Sequence, residues 1–170
     1  MKRGFTLFLL FVFLLTNLSL AAADFRDLNW GANPSEVKKS EDGKLIADAS
    51  FALIFETTLS GFKAKRAYYF DEERLVTALY SIEEPINSQT YTNYNNLRES
   101  LFKKYGKPYL FFFENGDSSS EASRKVVFDN GEISEFVSWR TERTEITYSA
   151  ENHDDLMIIN IIYAELGNSN

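Results

Sequence analysis

The sequence predicts an α+β domain: one antiparallel, largely meandering sheet with two helices packed on a face. Three observations lead there. Tyr91, Tyr94, Leu97, Leu101 and Tyr105 recur at spacings of three and four, as on the apolar stripe of an amphipathic helix. Much of the chain after Leu45 instead alternates apolar and polar residues between turn signals, the pattern of half-buried strands. Helix followed by strands occurs twice in the element order, which also admits a tandem arrangement.

A short extended segment, Phe25 to Trp30, leads into the first helix. Asn33 is placed to accept an orphan backbone N–H as N-cap, Pro34 takes the first helical position, and Glu36 sits three residues past the cap. Gly43, after the charged Lys38 to Asp42, is expected to stop this helix in the left-handed conformation. Phe51, Leu53, Phe55 and Thr57 then share one face of a strand. Across the Ser60-Gly61 turn, Phe62, Ala64, Arg66, Tyr68 and Phe70 share one face of the next. After the turn Asp71-Glu72-Glu73, a third strand runs from Arg74 to Ile82, and Pro85 prevents its continuation.

Asn87 caps the long helix, with Ile86 before it positioned to staple onto Tyr91 and Phe102 widening the stripe. Lys103 and Lys104 complement the negative end of its dipole, and Gly106 with Pro108 enforces the exit. The remainder reads as strands: Tyr109 to Glu114, Lys125 to Phe128, Glu132 to Arg140, Thr144 to Ala150 and Leu156 to Glu165. Asn130-Gly131 is expected to turn a hairpin between the second and third of these. The serine-rich stretch Asn115 to Ser123 is the longest loop, and Gly167 to Asn170 a frayed tail.

Residues 1–23 read as an address. Lys2 and Arg3 precede the apolar run Phe5 to Leu15, and Ala21-Ala22-Ala23 supplies the small residues a signal peptidase accepts before Asp24. That run is well short of the roughly 20 residues a membrane span requires, so a cleaved signal is expected, with no stable membrane anchor. The mature chain is then 24–170, a single domain. The leader holds two of the 18 basic residues and none of the 25 acidic ones, which leaves 16 against 25, a net charge of −9. Such a chain repels nucleic acid, and it offers no polybasic patch for anionic lipid. The absence of cysteine excludes disulfides, so packing alone must hold an exported fold in which 15% of the whole sequence is aromatic.

Few chemistries are written in the sequence. His153, the one histidine, stands in Glu151-Asn152-His153-Asp154-Asp155, where a general base beside carboxylates competes with a solvated turn, and the turn is favoured. One histidine and no cysteine fall short of a zinc site. Asp71-Glu72-Glu73, Asp117 and Asp154-Asp155 offer oxygen ligands but do not fit a twelve-residue calcium loop. Glu83 and Glu84, adjacent on an extended chain, point to opposite faces and do not flank one bond. No phosphate-cradling loop, nucleophile elbow or dinucleotide fingerprint is present, so no catalytic residue, metal or cofactor is assigned. Phe111-Phe112-Phe113 reads first as a central strand covered on both faces. The alternative is an open aromatic surface: Phe111, Phe113, Trp139 and Tyr148, with Lys63 and Lys65, are the candidate interaction residues, and Lys63, Lys65 and Arg66 are expected to form a basic rim.

Two motifs carry a resemblance: Phe25-Arg26-Asp27-Leu28-Asn29-Trp30-Gly31 running into Pro34-Ser35-Glu36-Val37, and Lys104-Tyr105-Gly106-Lys107-Pro108. With them the chain resembles a large group of uncharacterised exported bacterial proteins with a Trp-Gly-x-x-x-x-Glu-Val opening and a Lys-Tyr-Gly-x-Pro helix exit. More distantly, the helix-then-meander order resembles the fold of small outer-membrane assembly lipoproteins and β-lactamase-inhibitor proteins. That resemblance implies a non-catalytic envelope protein that binds other proteins through its sheet, here without the lipoproteins' anchoring cysteine. The expected function is therefore a soluble periplasmic protein-binding module of a diderm bacterium, an extracellular location being the alternative. A small apolar-ligand carrier and a hydrolase with an unrecognised acidic site are its rivals.

Overall fold

The computed structural model describes residues 23–117 and 119–167; the signal segment, except for Ala23, lies outside them. Asn33 begins helix α1 (Pro34–Ser40) as its side chain dictates. Its Oδ1 accepts from the N–H groups of Ser35 and Glu36 at 3.0 and 3.1 Å, and Glu36 accepts from the Asn33 N–H at 2.8 Å, closing a capping box. Helix α1 ends at Glu41 in extended backbone, so Gly43 is not its left-handed stop. Gly43 serves a close approach instead: a Cβ there would lie 2.5 Å from the Glu56 carbonyl oxygen.

Four strands follow, β1 (Lys44–Ala49), β2 (Ala52–Leu59), β3 (Phe62–Asp71) and β4 (Arg74–Pro85). β1 is an addition to the expected set, and it moves Phe51 into the β1–β2 turn, where it is 65% exposed. The β2–β3 and β3–β4 hairpins turn on two residues each, Ser60-Gly61 and Glu72-Glu73, all with positive φ, the sense that matches strand twist. Helix α2 (Ser88–Tyr105) is capped by Asn87, buries Tyr91, Tyr94, Leu97 and Leu101 along the expected stripe, and exits at Gly106 with φ 73°.

Beyond β5 (Leu110–Phe113) comes a third helix, α3 (Glu121–Asp129), where a strand is expected at Lys125 to Phe128. Lys-Val-Val-Phe is β-prone in isolation. In the fold, Arg124, Val127 and Phe128 fall at helical spacing and are buried, while Lys125 and Asp129 pair at 2.7 Å on the exposed side. Asn130-Gly131 closes this helix and turns no hairpin. The Glu132 N–H donates to the Val127 carbonyl at 3.0 Å and the Gly131 N–H to that of Phe128 at 2.9 Å, with Gly131 at φ 73°, a Schellman cap. The chain finishes in β6 (Ser134–Arg140), β7 (Thr144–His153) and β8 (Leu156–Glu165).

The result is an α+β fold, an open eight-stranded antiparallel sheet with three helices. Strand order is β1-β2-β3-β4-β8-β7-β6-β5, so β4 and β8 meet at the centre and β1 and β5 are edges. Phe111-Phe112-Phe113 therefore lies on an edge strand and not a central one. The two faces of the sheet differ sharply. Pairing registers put Leu53, Tyr68, Ala78, Tyr163, Ile146 and Trp139 on one face, each no more than 7% exposed. Elements outside the sheet contact that face: Phe102 and Tyr105 of α2 touch Trp139, Tyr105 touches Tyr163, and Phe25 touches Tyr68 and Tyr163.

Both motifs of the resemblance prove architectural. Phe25, Leu28, Trp30 and Val37 are core residues, and the Trp30 indole N–H donates to Thr144 Oγ1 at 2.9 Å. Gly31, at φ 88°, turns the chain so that its N–H reaches the Leu75 carbonyl. At the helix exit the Gly106 carbonyl accepts the Trp139 indole N–H at 2.9 Å.

Candidate functional site

The opposite sheet face is the larger candidate surface, and registers define it strand by strand. One row crosses all eight strands: Lys44, Glu56, Lys65, Ser81, Asn160, Ser149, Phe136 and Phe112. It passes from charged side chains on β1 to β3, through small polar ones on β4, β8 and β7, to rings on β6 and β5. The adjacent row contributes Ile54, Leu79, Ile162 and Leu110. None of these side chains is buried; Phe112 is 53% exposed, Leu110 47%, and Phe136 and Ile162 37% each. Lys63, Lys65, Glu56 and Glu83 wall a groove of about 450 Å³ at the charged end. Seven strand spacings make the row roughly 34 Å long, and strands of this length give a face on the order of 800 Å². That is the area one partner contributes to a standard protein complex.

The six expected interaction residues do not form one surface. Phe111, Phe113, Trp139 and Tyr148 share the buried face by register, while Lys63 and Lys65 are exposed on the other. Trp139 is 2% and Tyr148 0% exposed, which corrects their assignment to an open face. The rings of Phe102 and Tyr105 cover Trp139 at 5.3 and 5.8 Å. Phe111 keeps 39% exposure only because it stands at the sheet edge, with Phe102 on one side of it. The residues missed were Phe136, Phe112, Leu110 and Ile162. Their signal was parity: each alternates with a neighbour on the buried face.

Behind the sheet two buried polar clusters join helices to strands. In the first, Glu41 at the end of α1 accepts from the Arg66 guanidinium and the Tyr68 hydroxyl, all three side chains being nearly inaccessible. The Arg66 guanidinium also lies over the Tyr80 ring, 5.7 Å from its centroid. In the second, Arg98 of α2 donates to Glu135 of β6 at 2.7 Å, and Tyr94 donates to the same carboxylate at 2.9 Å. Burial pushes the Glu135 carboxyl above its ordinary range, against the pull of Arg98 and Tyr94. Burial likewise raises the Tyr68, Tyr94 and Tyr148 hydroxyls, which stay protonated. These nearly inaccessible side chains fasten α1 and α2 to the strands.

His153 ends β7 with an exposed side chain, and its Nδ1 lies 3.4 Å from Asp154 Oδ2, also exposed. Glu83 points to the open face and Glu84 to the other, as alternation requires. Among the described residues no group of three or more His, Asp or Glu gathers as a metal-binding set, and no helix is long and apolar enough to cross a membrane. A separate cavity of about 350 Å³ lies between the N-terminal segment, α2 and the central strands, walled by Phe25, Tyr80, Leu97, Leu101, Tyr105 and Tyr163. Family models, curated proteins and solved structures contain no match to this chain.

Proposed function

We propose that this chain is an exported, non-catalytic module that binds another protein on the open face of its sheet, with α1 and α2 backing the opposite face. The observation that carries the reading is the face itself: an area suited to one standard complex, apolar rings at one end and a mixed-charge groove at the other. The rings supply burial, and the groove supplies orientation and encounter rate. A tandem of two helix-plus-strands units, joined at β4 and β8, accounts for so broad a sheet in a chain of this length. The periplasm of a diderm bacterium is the matching compartment.

A photo-reactive residue placed at Ser149 or Asn160, in producing cells, tests this. Adducts with a discrete partner are expected from those positions and not from Lys103, exposed on α2. Equal labelling from the face and the helix would overturn the reading. Lys63→Glu with Lys65→Glu should slow association with the captured partner while leaving the melt unchanged. The second reading, a small apolar-ligand carrier, is favoured by the ring-walled cavity beside Phe25, whose volume is at the low end for ligand pockets. Native mass spectrometry of the purified protein separates the two, since a carrier retains a small hydrophobic molecule.

A further inference from the structure

We infer that β5 is a pairing edge for a second copy of this chain, joining two sheets into one antiparallel sheet across a two-fold axis at Phe112. The proposal concerns the sheet's edge and stands apart from the use of its open face. The contrast between the two edges motivates it. β1 is blunted in the ways that stop strand addition: it carries Lys44 and Asp48, the latter tied to Lys38 at 2.7 Å, and its register with β2 slips between Leu45 and Ala47. β5, at four residues the shortest strand, lacks the charges and the register slip of β1. Leu110-Phe111-Phe112-Phe113 holds no charge and no proline, its register with β6 is regular, and Leu110, Phe111 and Phe112 are all exposed. An uncharged apolar edge is a template for another strand.

Main-chain phase fixes how the second strand would lie. Glu114 donates its N–H to the Ser134 carbonyl at 3.0 Å and Phe112 opposite Phe136 is in the same phase, while at the start of the strand the Tyr109 N–H reaches the Ser138 carbonyl at 3.1 Å. Glu114 and Phe112 spend their backbone groups on β6, so Phe111 and Phe113 turn theirs outward. A two-fold centred on Phe112 pairs Phe111 of each copy with Phe113 of the other, and every outward N–H and C=O finds a partner. Centring on Phe111 would leave those of Phe113 unmet. In this register Leu110 of one copy lies opposite Glu114 of the other. On the open face it aligns Phe136 and Phe112 of both copies in one row. The interface is isologous and closes on itself, so the product is a dimer and not a fibre.

The chain has no cysteine, so single-cysteine variants report the register directly. Phe112→Cys would place two sulfur-bearing residues opposite each other at a non-hydrogen-bonded pair, with Cα atoms about 4.5 Å apart, within disulfide reach. Leu110→Cys would leave its two copies roughly 13 Å apart along the seam. With the protein in the form its own cell leaves it, mild oxidation should cross-link Phe112→Cys and spare Leu110→Cys and Phe136→Cys. Sedimentation should show a concentration-dependent dimer below about 0.1 mM. Phe112→Lys, which sets like charges face to face, should weaken it at least about tenfold. Phe136→Lys, on the same face but one strand inside the edge, should change it by less than about twofold. A monomer throughout that concentration range overturns the proposal, as does cross-linking at Leu110 or Phe136 that matches Phe112. The cysteine comparison stands even where Phe112→Lys fails to fold.

Discussion

Replacing Tyr94 and Tyr148 separately by phenylalanine should move stability in opposite directions, although both rings are fully buried in one cluster. The Tyr94 hydroxyl donates to Glu135 Oε2 at 2.9 Å, and the Glu135 side chain is itself inaccessible. Deleting that oxygen removes a bond to a charged group and leaves part of a buried carboxylate unmet, a loss of about 1.5 to 3 kcal/mol. Tyr148 is the reverse case, because its hydroxyl has no partner among the described residues. An unsatisfied buried hydroxyl costs about 1 to 3 kcal/mol, so Tyr148→Phe should be neutral or stabilising by up to about 1 kcal/mol once the small void is counted. In a domain of this size each kcal/mol shifts the melting temperature by about 2 to 4 °C. Tyr94→Phe should thus melt about 3 to 12 °C lower, and Tyr148→Phe at or above the parent. Urea titrations with unchanged m values provide the free energies. Equal losses in the two variants would refute the hydrogen-bond assignment behind this reasoning.

Leu101→Ala, at a core position of α2, should cost about 2 to 5 kcal/mol, whereas His153→Ala, on an exposed strand end, should leave the melt unchanged. A matching drop for His153 would reveal a packed role that its exposure denies. Because burial raises the folded pKa of Glu135, the native chain holds that proton more tightly than the unfolded chain. The stability this adds is complete below the ordinary glutamate range and is lost as pH rises through the raised value. The advantage of the parent over Glu135→Gln in thermal melts should therefore narrow from acid toward neutral pH; a widening gap would mean that Arg98 governs the carboxyl. Intact mass of the protein recovered from the cell envelope should correspond to a chain beginning at Asp24, and recovery of the full-length species from membranes would contradict the signal reading.

Local signals explain what was legible. Asn33 with Glu36, and Asn87 with the Tyr91-to-Leu101 stripe, specify their own helices through caps and periodicity, and α2 forms where those signals place it. The strand from Leu156 to Glu165, apolar on both faces and rich in isoleucine, also matches. α3 failed the same reading because Val126, Val127 and Phe128 favour strands locally, and only tertiary burial of Arg124 beside Val127 decides for helix. Phe111-Phe112-Phe113 misled for a different reason. Three successive rings imply cover on both sides, and no local rule marks a strand as an edge. Trp139 and Tyr148 were readable by parity: they alternate with Ser138 and Ser149 and align with Val137 and Ile146 on the buried face. Arg66 was expected on the basic rim although parity sets it among Ala64, Tyr68 and Phe70; it is fully buried, and the carboxylate that holds it lies 25 residues away with no sequence signature.

The two buried ion pairs bear on how such a chain avoids misassembly. The fold contains two sets of a helix followed by strands, with the fourth strand of each set at the centre, so a helix docked against the wrong strands is the obvious competitor. In the first set the carboxylate comes from the helix end, Glu41, and the guanidinium from a strand, Arg66. In the second the polarity is reversed, with Arg98 on the helix and Glu135 on the strand. Exchanging the helices would bring Glu41 to the half that buries Glu135 and Arg98 to the half that buries Arg66, so each buried charge would lose its opposite partner. Correct docking gains little from such pairs, because desolvation offsets most of the attraction, but the exchanged arrangement loses several kcal/mol at both places. Reversed polarity thus adds a charge penalty to the discrimination that helix length and apolar face already make, seven residues burying Val37 alone against eighteen burying a full stripe, which is a reason for a core this rich in rings to keep these two ion pairs inside it.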